Sequence, residues 1–245
     1  MDELGQAASR INLAEAGGPS IRIDDLHVAS PGGCVMLSET HAKLDPGERV
    51  LITGDSGEEE ALLFRAIGGL WPWGSGRITH PARQSMMFMP VRAYVPPGAL
   101  RAAVTYPHST DVYEDAVIAK ALAHAGLGHL EPRLDTVERW DRELTDDEKQ
   151  RLAFARVILQ KPLWVVVNDA LDVLDSESRM RIRALFAGEL ADVGIINIGH
   201  DQPESGIYGR KLHLVTDSLG PTFRPDRECG IPEPPKSARE ALSAE

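Results

Sequence analysis

Val50-Leu51-Ile52-Thr53-Gly54-Asp55-Ser56-Gly57-Glu58-Glu59-Glu60-Ala61-Leu62 is the stretch that decides the fold. Four apolar or β-branched residues read as a strand, entered through Pro46-Gly47 and left through a glycine-flanked turn. Leu63, Ala66, Ile67 and Leu70 then recur at helical spacing, giving a helix over Ala61 to Leu70. A strand, a Gly-rich turn and a helix make the setting of a phosphate-binding loop. Such a loop aims backbone N–H groups and a helix N-terminus at phosphate oxygens. It also needs a lysine for the outer phosphates and a hydroxyl for magnesium. Here Glu59 stands at the last glycine position, Glu60 at the lysine position, and Ala61 and Leu62 at the hydroxyl positions.

The same alternation extends in both directions. Ile21, Ile23, Leu26 and Val28 begin a set of short strands, and Pro31-Gly32-Gly33 reads as a turn between two of them. Met86 to Met89 reads as a strand, and Asp115 to Gly126 as a helix with an apolar stripe at Val117, Ala121, Leu122 and Ala125. Thr145 and Glu148 form a capping box ahead of a helix running to about Leu159. Leu163 to Val167 reads as a buried strand, Ser176 to Leu190 as a helix, and Ile195 to Ile198 and Leu212 to Val215 as strands. Alternating strands and helices predict an α/β protein with a mostly parallel central sheet. Residues 1–18 read as a linker or frayed helix. The last 25 residues carry five prolines and many charges and read as a disordered tail.

Composition narrows the function classes. The 245 residues are 42% hydrophobic and 26% charged, ordinary for a soluble globular protein. A net charge of −11 disfavours nucleic acid and anionic membrane surfaces. Cys34 and Cys229 lie far apart and read as unpaired thiols of a reducing cytoplasm, not a disulfide framework or zinc site. Asp2, Glu3 and Glu15 argue against a signal peptide, and the longest apolar run is too short to cross a bilayer.

The chain resembles the nucleotide-binding domain of ATP-binding-cassette (ABC) transporters. It is most similar to the branch holding peroxisomal fatty-acyl transporters and bacterial peptide or vitamin importers. Gly47 to Gly57, Leu63-Phe64-Arg65-Ala66-Ile67, Gly69-Leu70-Trp71-Pro72-Trp73-Gly74-Ser75-Gly76, Leu152-Ala153-Phe154-Ala155-Arg156 and Leu174-Asp175 carry the likeness. It implies a P-loop cassette over residues 19–219, with an N-terminal antiparallel β subdomain and a helical subdomain at about 91–160. It also implies ATP and Mg2+ as cofactors and a second cassette as homodimer or heterodimer partner. A transporter membrane domain would be a further partner, with the chain cytoplasmic or peripheral at the inner membrane.

Carried over residue by residue, the resemblance gives Gly54, Asp55, Ser56, Gly57, Glu58, Glu59, Glu60, Ala61 and Leu62 as the phosphate-loop positions. Val91 takes the glutamine-loop position, and Thr145, Asp146 and Asp147 the signature-loop positions. Asn168 replaces the aspartate that supports magnesium. Asp169 takes the place of the water-polarising glutamate, and His200 keeps the switch histidine. The adenine-stacking aromatic is missing near Ala29 and Ser30. Scaffold positions match while chemical positions do not, so the expected activity is that of a pseudo-ATPase with weak or absent ATP binding. The alternative is a weak but genuine ATPase subunit, or a cassette detached from a longer transporter.

Bland readings accompany these. Glu58, Glu59 and Glu60 are expected to be a solvated first helical turn, where carboxylates suit the dipole. The sharper alternative is a cation site of Glu58, Glu60 and Asp169, with Asn168 and Asp169 as the family's metal positions. Asp169 and His200 are expected as fold remnants, Trp71 and Trp73 as rim packing, and Lys149 and Arg151 as solvated charges.

Overall fold

The computed structural model describes residues 10–30, 33–37, 39–200 and 208–217. The Pro31-Gly32 part of the expected turn, Cys229 and the Pro-rich tail lie outside them. In chain order the elements are β1 (Asn12–Glu15), β2 (Ile21–Ser30), β3 (Gly33–Leu37), β4 (His41–Leu44), β5 (Arg49–Thr53), α1 (Gly57–Ile67), β6 (Gly74–His80), β7 (Met86–Met89), β8 (Gly98–Ala99), α2 (Leu100–Thr105), α3 (Asp115–His124), β9 (Val137–Glu138), α4 (Trp140–Glu143), α5 (Asp146–Gln160), β10 (Trp164–Asn168), α6 (Ser176–Ala187), β11 (Gly194–Ile198) and β12 (Arg210–Asp217).

Among the described residues one ten-stranded sheet runs β1-β6-β2-β3-β12-β5-β11-β10-β7, with β4 on β2. The half from β12 to β7 is parallel throughout. β5, β10 and β11 are buried along nearly their whole length, as parallel strands covered on both faces must be. The other half is mainly antiparallel, β2 pairing with β3, β4 and β6. This is the expected α/β architecture with its antiparallel β region.

One expectation fails at the N-terminus. Residues 12–15, read as linker or frayed helix, form β1, paired in parallel with β6 from Asn12↔Arg77 to Glu15↔His80. Gly17-Gly18-Pro19 masked the signal. The segment is too short for its period to show, and its ladder partner lies more than sixty residues away.

The sheet separates two apolar cores. On one side Leu62, Leu63, Ala66 and Ile67 of α1 pack with β2, β4 and β5. On the other, Leu152, Phe154, Ala155 and Val157 of α5 join Leu122 of α3, Trp140 of α4 and Phe186 of α6. Helices α2 to α5 form a helical layer, with α5 touching both α2 and α3. Helix α1 begins at Gly57 instead of Ala61 because Ser56, in extended backbone, caps it by accepting the Glu59 N–H. It ends at Gly68, before the positive-φ Gly69.

Candidate functional site

The carboxyl ends of the parallel strands β5, β10 and β11 meet at the candidate site, where open α/β sheets place their ligands. Three loops converge there. The first follows β5 and runs Gly54-Asp55-Ser56 into α1. The second begins at Asn168, the last residue of β10. The third is Gly199-His200 after β11. Backbone bonds lock them together, with the Gly199 N–H donating to Ile52 O at 2.9 Å and the Asp169 N–H to Ile198 O at 3.1 Å.

The three glutamates diverge. Glu58 is exposed and Glu59 partly buried, but Glu60 is only 1% exposed. The expectation of a wholly solvated first turn is therefore wrong for Glu60. Its side chain folds back inside the loop, and Oε1 accepts the Gly54 N–H at 2.9 Å. Position within the turn explains this: the exposed side of α1 carries Glu58, while Glu60 sits on the side packed toward the sheet. Glu59 accepts from the Thr216 hydroxyl of β12. A Cβ built on Gly54 would meet Glu60 Cγ at 3.2 Å and a Glu59 carboxylate oxygen at 3.4 Å. Two acidic side chains thus crowd the point where the loop would approach an anion. Burial pushes the Glu60 carboxyl above its ordinary range, the Gly54 hydrogen bond opposes this, and Asp169 adds to the rise.

The structure brings Asp169 and His200 together. Asp169 sits at φ 46°, a left-handed conformation uncommon for a non-glycine residue. Its Oδ1 accepts the His200 backbone N–H at 3.2 Å and lies 3.5 Å from His200 Nδ1. The close approach requires Gly199, at φ 151°, because a Cβ there would fall 1.8 Å from Asp169 Oδ1. The His200 imidazole is held above its ordinary pKa, first by Glu60 and then by Asp169. Glu60, Asp169 and His200 each offer a ligand atom within 4.8 Å of the others. Glu58 is not part of this group, whose third member is the histidine. Asn168 is 8% exposed, and its Oδ1 has no hydrogen-bond partner.

The remaining positions lie on the helical layer. Val91 is exposed, and its carbonyl, like that of Pro90, accepts from buried Gln150 at 3.0 and 3.1 Å. Thr145 and Glu148 form the expected capping box, putting Asp146 and Asp147 in the first turn of α5. Asp147 turns its carboxylate onto Arg151 Nε at 2.6 Å and accepts the Asp175 N–H at 3.3 Å. Arg151 also donates to Gly126 O at 2.8 Å and is 17% exposed, so it is a partly buried clamp and not the solvated charge expected. The i, i+4 spacing of Asp147 and Arg151 was the available signal. Gln150, tying α5 to the turn after β7, carried none. Trp71 and Trp73 do pack together, rings 4.6 Å apart, with Trp71 Nε1 donating to Ala29 O. A cleft of about 470 Å³ opens between β7 and the helical layer, lined by Met87, Phe88, Tyr94, Tyr106 and Arg156 among others.

No protein-family model matches the chain. Over 190 residues it is 32% identical to an uncharacterized ABC transporter ATP-binding protein of Haemophilus influenzae, covering 78% of this chain and 32% of that protein. Over 157 residues it is 34% identical to human ATP-binding cassette sub-family D member 3, covering 61% and 24%. Over 181 residues it is 26% identical to the Escherichia coli inner membrane ABC transporter ATP-binding protein YddA, covering 74% and 32%. The chain thus spans about a third or less of the length of these curated relatives. Its fold matches, with TM-score 0.63 and 21% identity, a bacterial Atm1-family ABC exporter solved with ATP bound, over 82% of this chain and 37% of that one. Loop geometry at the strand ends, sequence likeness and shared fold agree: the chain carries the nucleotide-binding cassette of the ABC-transporter family.

Proposed function

We propose that this cassette does not work as an ATPase and acts instead through its surfaces, as a structural or regulatory partner of a competent cassette or of a transporter membrane domain. One observation carries the reading: the residue at the lysine position is Glu60, buried inside the loop with its carboxylate on the Gly54 N–H. The loop's inner face thereby carries negative charge and spends a backbone donor internally. ATP and magnesium, the group the family uses, do not fit these residues. Two unit charges about 4 Å apart interact by about 4 kcal/mol at an effective dielectric near 20. Exchanging a cation for an anion there reverses an interaction of that size. Phosphoryl transfer rests on positioning and charge neutralisation, so the loss is not made good elsewhere.

Asn168 at the magnesium-supporting position and Asp147, committed to Arg151, point the same way. For the partner, the cleft between β7 and the helical layer is the surface we assign to a helix of a membrane domain. Tyr94 and Tyr106 at its mouth are 57% and 42% exposed. No helix among the described residues is long and apolar enough to cross a membrane, so the membrane part would come from another segment or chain.

The test is binding of a fluorescent ATP analogue with Mg2+ to the native chain, to Glu60→Lys, and to the triple variant Glu60→Lys, Asn168→Asp, Asp147→Gly. The native chain is expected to show no saturable binding and the charge-restored variants to gain it. Micromolar binding by the native chain overturns the reading and favours a weak but genuine ATPase subunit, for which the Asp169–His200 pair is the supporting observation.

A further inference from the structure

The charge inversion inside the loop has a chemical consequence beyond the loss of nucleotide. Glu60 comes from the first turn of α1 and Asp169 and His200 from two separate loops, and their ligand atoms lie within 4.8 Å of one another. Two carboxylates and one imidazole are a donor set for a borderline transition metal. Zinc accepts imidazole nitrogen and carboxylate oxygen at about 2.0–2.2 Å. Magnesium instead prefers an octahedron rich in oxygen and water.

A second observation stands apart from the clustering. Glu60 is 1% exposed, one of its carboxylate oxygens is bound by Gly54, and the other has no hydrogen-bond partner among the described residues. A buried carboxylate oxygen left unsatisfied costs free energy unless something positive meets it. Asn168 Oδ1, equally orphaned and next in the chain to Asp169, makes a second such atom. Asp169 is in turn held at a left-handed φ of 46°, and strained backbone of this kind collects where a group must be aimed.

We propose that Glu60, Asp169 and His200 form a binding site for a divalent transition-metal ion, zinc by preference, in the place where the family's phosphate loop takes its nucleotide. Donors on a tetrahedral zinc stand about 3.3 Å apart, given bonds of about 2.0 Å. The present atoms lie within 4.8 Å of one another, and the His200 side chain, 68% exposed, is the member with room to adjust toward that spacing. Glu60 and Asp169 are already fixed, the first by the Gly54 N–H and the second by the His200 N–H. Three protein ligands leave a fourth position for water, as in open zinc sites. The proposal does not depend on the nucleotide reading, since metal and ATP are titrated separately.

The experiment is calorimetric titration of the chelator-stripped full chain with Zn2+, repeated with Mg2+, and visible absorption on titration with Co2+ as a spectroscopic stand-in. One Zn2+ per chain is expected, with a rise in melting temperature and a weaker response to Mg2+. Glu60→Gln keeps the Gly54 acceptor and His200→Asn alters an exposed side chain, so both variants should fold. Each should weaken Zn2+ binding by more than about 10-fold, the loss seen when even an outer-shell partner is removed. His41, exposed and 3.1 Å from Asp24, supplies the control, and His41→Asn should leave the affinity unchanged. Absence of Zn2+ binding, binding by Glu60→Gln or His200→Asn as tight as by the native chain, or loss of binding in His41→Asn overturns the proposal.

Discussion

Replacing Glu60 by glutamine should make the metal-free protein more stable, and by an amount that depends on pH. Gln keeps an oxygen for the Gly54 N–H, 2.9 Å from the present acceptor, and removes the buried charge. What it relieves is the buried negative charge of a residue 1% exposed, since the amide NH2 takes the place of the oxygen that has no partner among the described residues. An uncompensated buried charge costs more than an unsatisfied neutral group, here by about 1–3 kcal/mol. For a domain of this size that is about 2–12 °C in melting temperature. The sign with pH follows from proton linkage. Burial raises the folded-state pKa of Glu60 above its ordinary value of 4.5, so its stabilising contribution is complete below 4.5 and is lost as pH rises through the raised value. His200, raised above 6.5 chiefly by Glu60, contributes with the same sign, complete below 6.5 and lost above its own raised value. Below pH 4.5 the native group is increasingly neutral, like glutamine, and the two proteins should melt closest together. At alkaline pH the native chain carries an uncompensated carboxylate and Glu60→Gln should be ahead by the full margin. Thermal melts in EDTA across this range measure the difference. A Glu60→Gln protein less stable than native at alkaline pH, or a difference that does not change with pH, would refute the reasoning.

Four further outcomes are expected. Gly199→Ala should lose about 1–3 kcal/mol from the φ of 151° alone, with more from a Cβ 1.8 Å from Asp169 Oδ1, read by urea denaturation. Arg151→Ala should cost about 1–3 kcal/mol, because it strands the Asp147 carboxylate and the Gly126 carbonyl, while Lys149→Ala on the same helix should cost little. Cys34, whose thiol burial pushes up to about 11, should resist alkylation at neutral pH until the chain unfolds, followed by peptide mapping. Tyr94→Arg should leave the melting temperature unchanged and release the chain from the membrane fraction of its own cells, as the assigned docking cleft requires.

The parallel half of the fold was legible because its strands are short unbroken apolar runs between turn signals, as in Val50 to Thr53 and Trp164 to Val167. The cap of α5 was legible because Thr145 and Glu148 are local neighbours. What sequence could not supply was side-chain direction at a helix start. Glu58, Glu59 and Glu60 are chemically identical in a list, and all three suit a helix dipole. Only the packing of α1 against the sheet sends Glu58 to solvent and Glu60 inside. The pairing of β1 with β6 and the tether from Gln150 to the carbonyls of Pro90 and Val91 are likewise long-range, sixty residues or so apart, and leave no local trace.

That difference in direction also explains how the fold tolerates an anion inside a loop shaped for a cation's partner. The α1 N-terminus offers partial positive charge, Ser56 caps it, and the Gly54 N–H is directed at Glu60 Oε1. These are the same backbone groups that would otherwise meet phosphate, so the carboxylate takes over part of the hydrogen bonding of the ligand it displaces. The substitution is therefore self-consistent for folding, and under the function proposed above it is also what keeps a triphosphate out. It leaves one demand unmet, the second Glu60 oxygen, and the nearest ionisable groups are a carboxylate and an imidazole on neighbouring loops. A proton shared with His200 can meet that demand at low pH, and a divalent metal can meet it at any pH where the imidazole is neutral. Since these two solutions compete for His200, zinc binding should release protons as pH falls toward the imidazole's range, and the heat of binding should then vary with the ionisation enthalpy of the buffer.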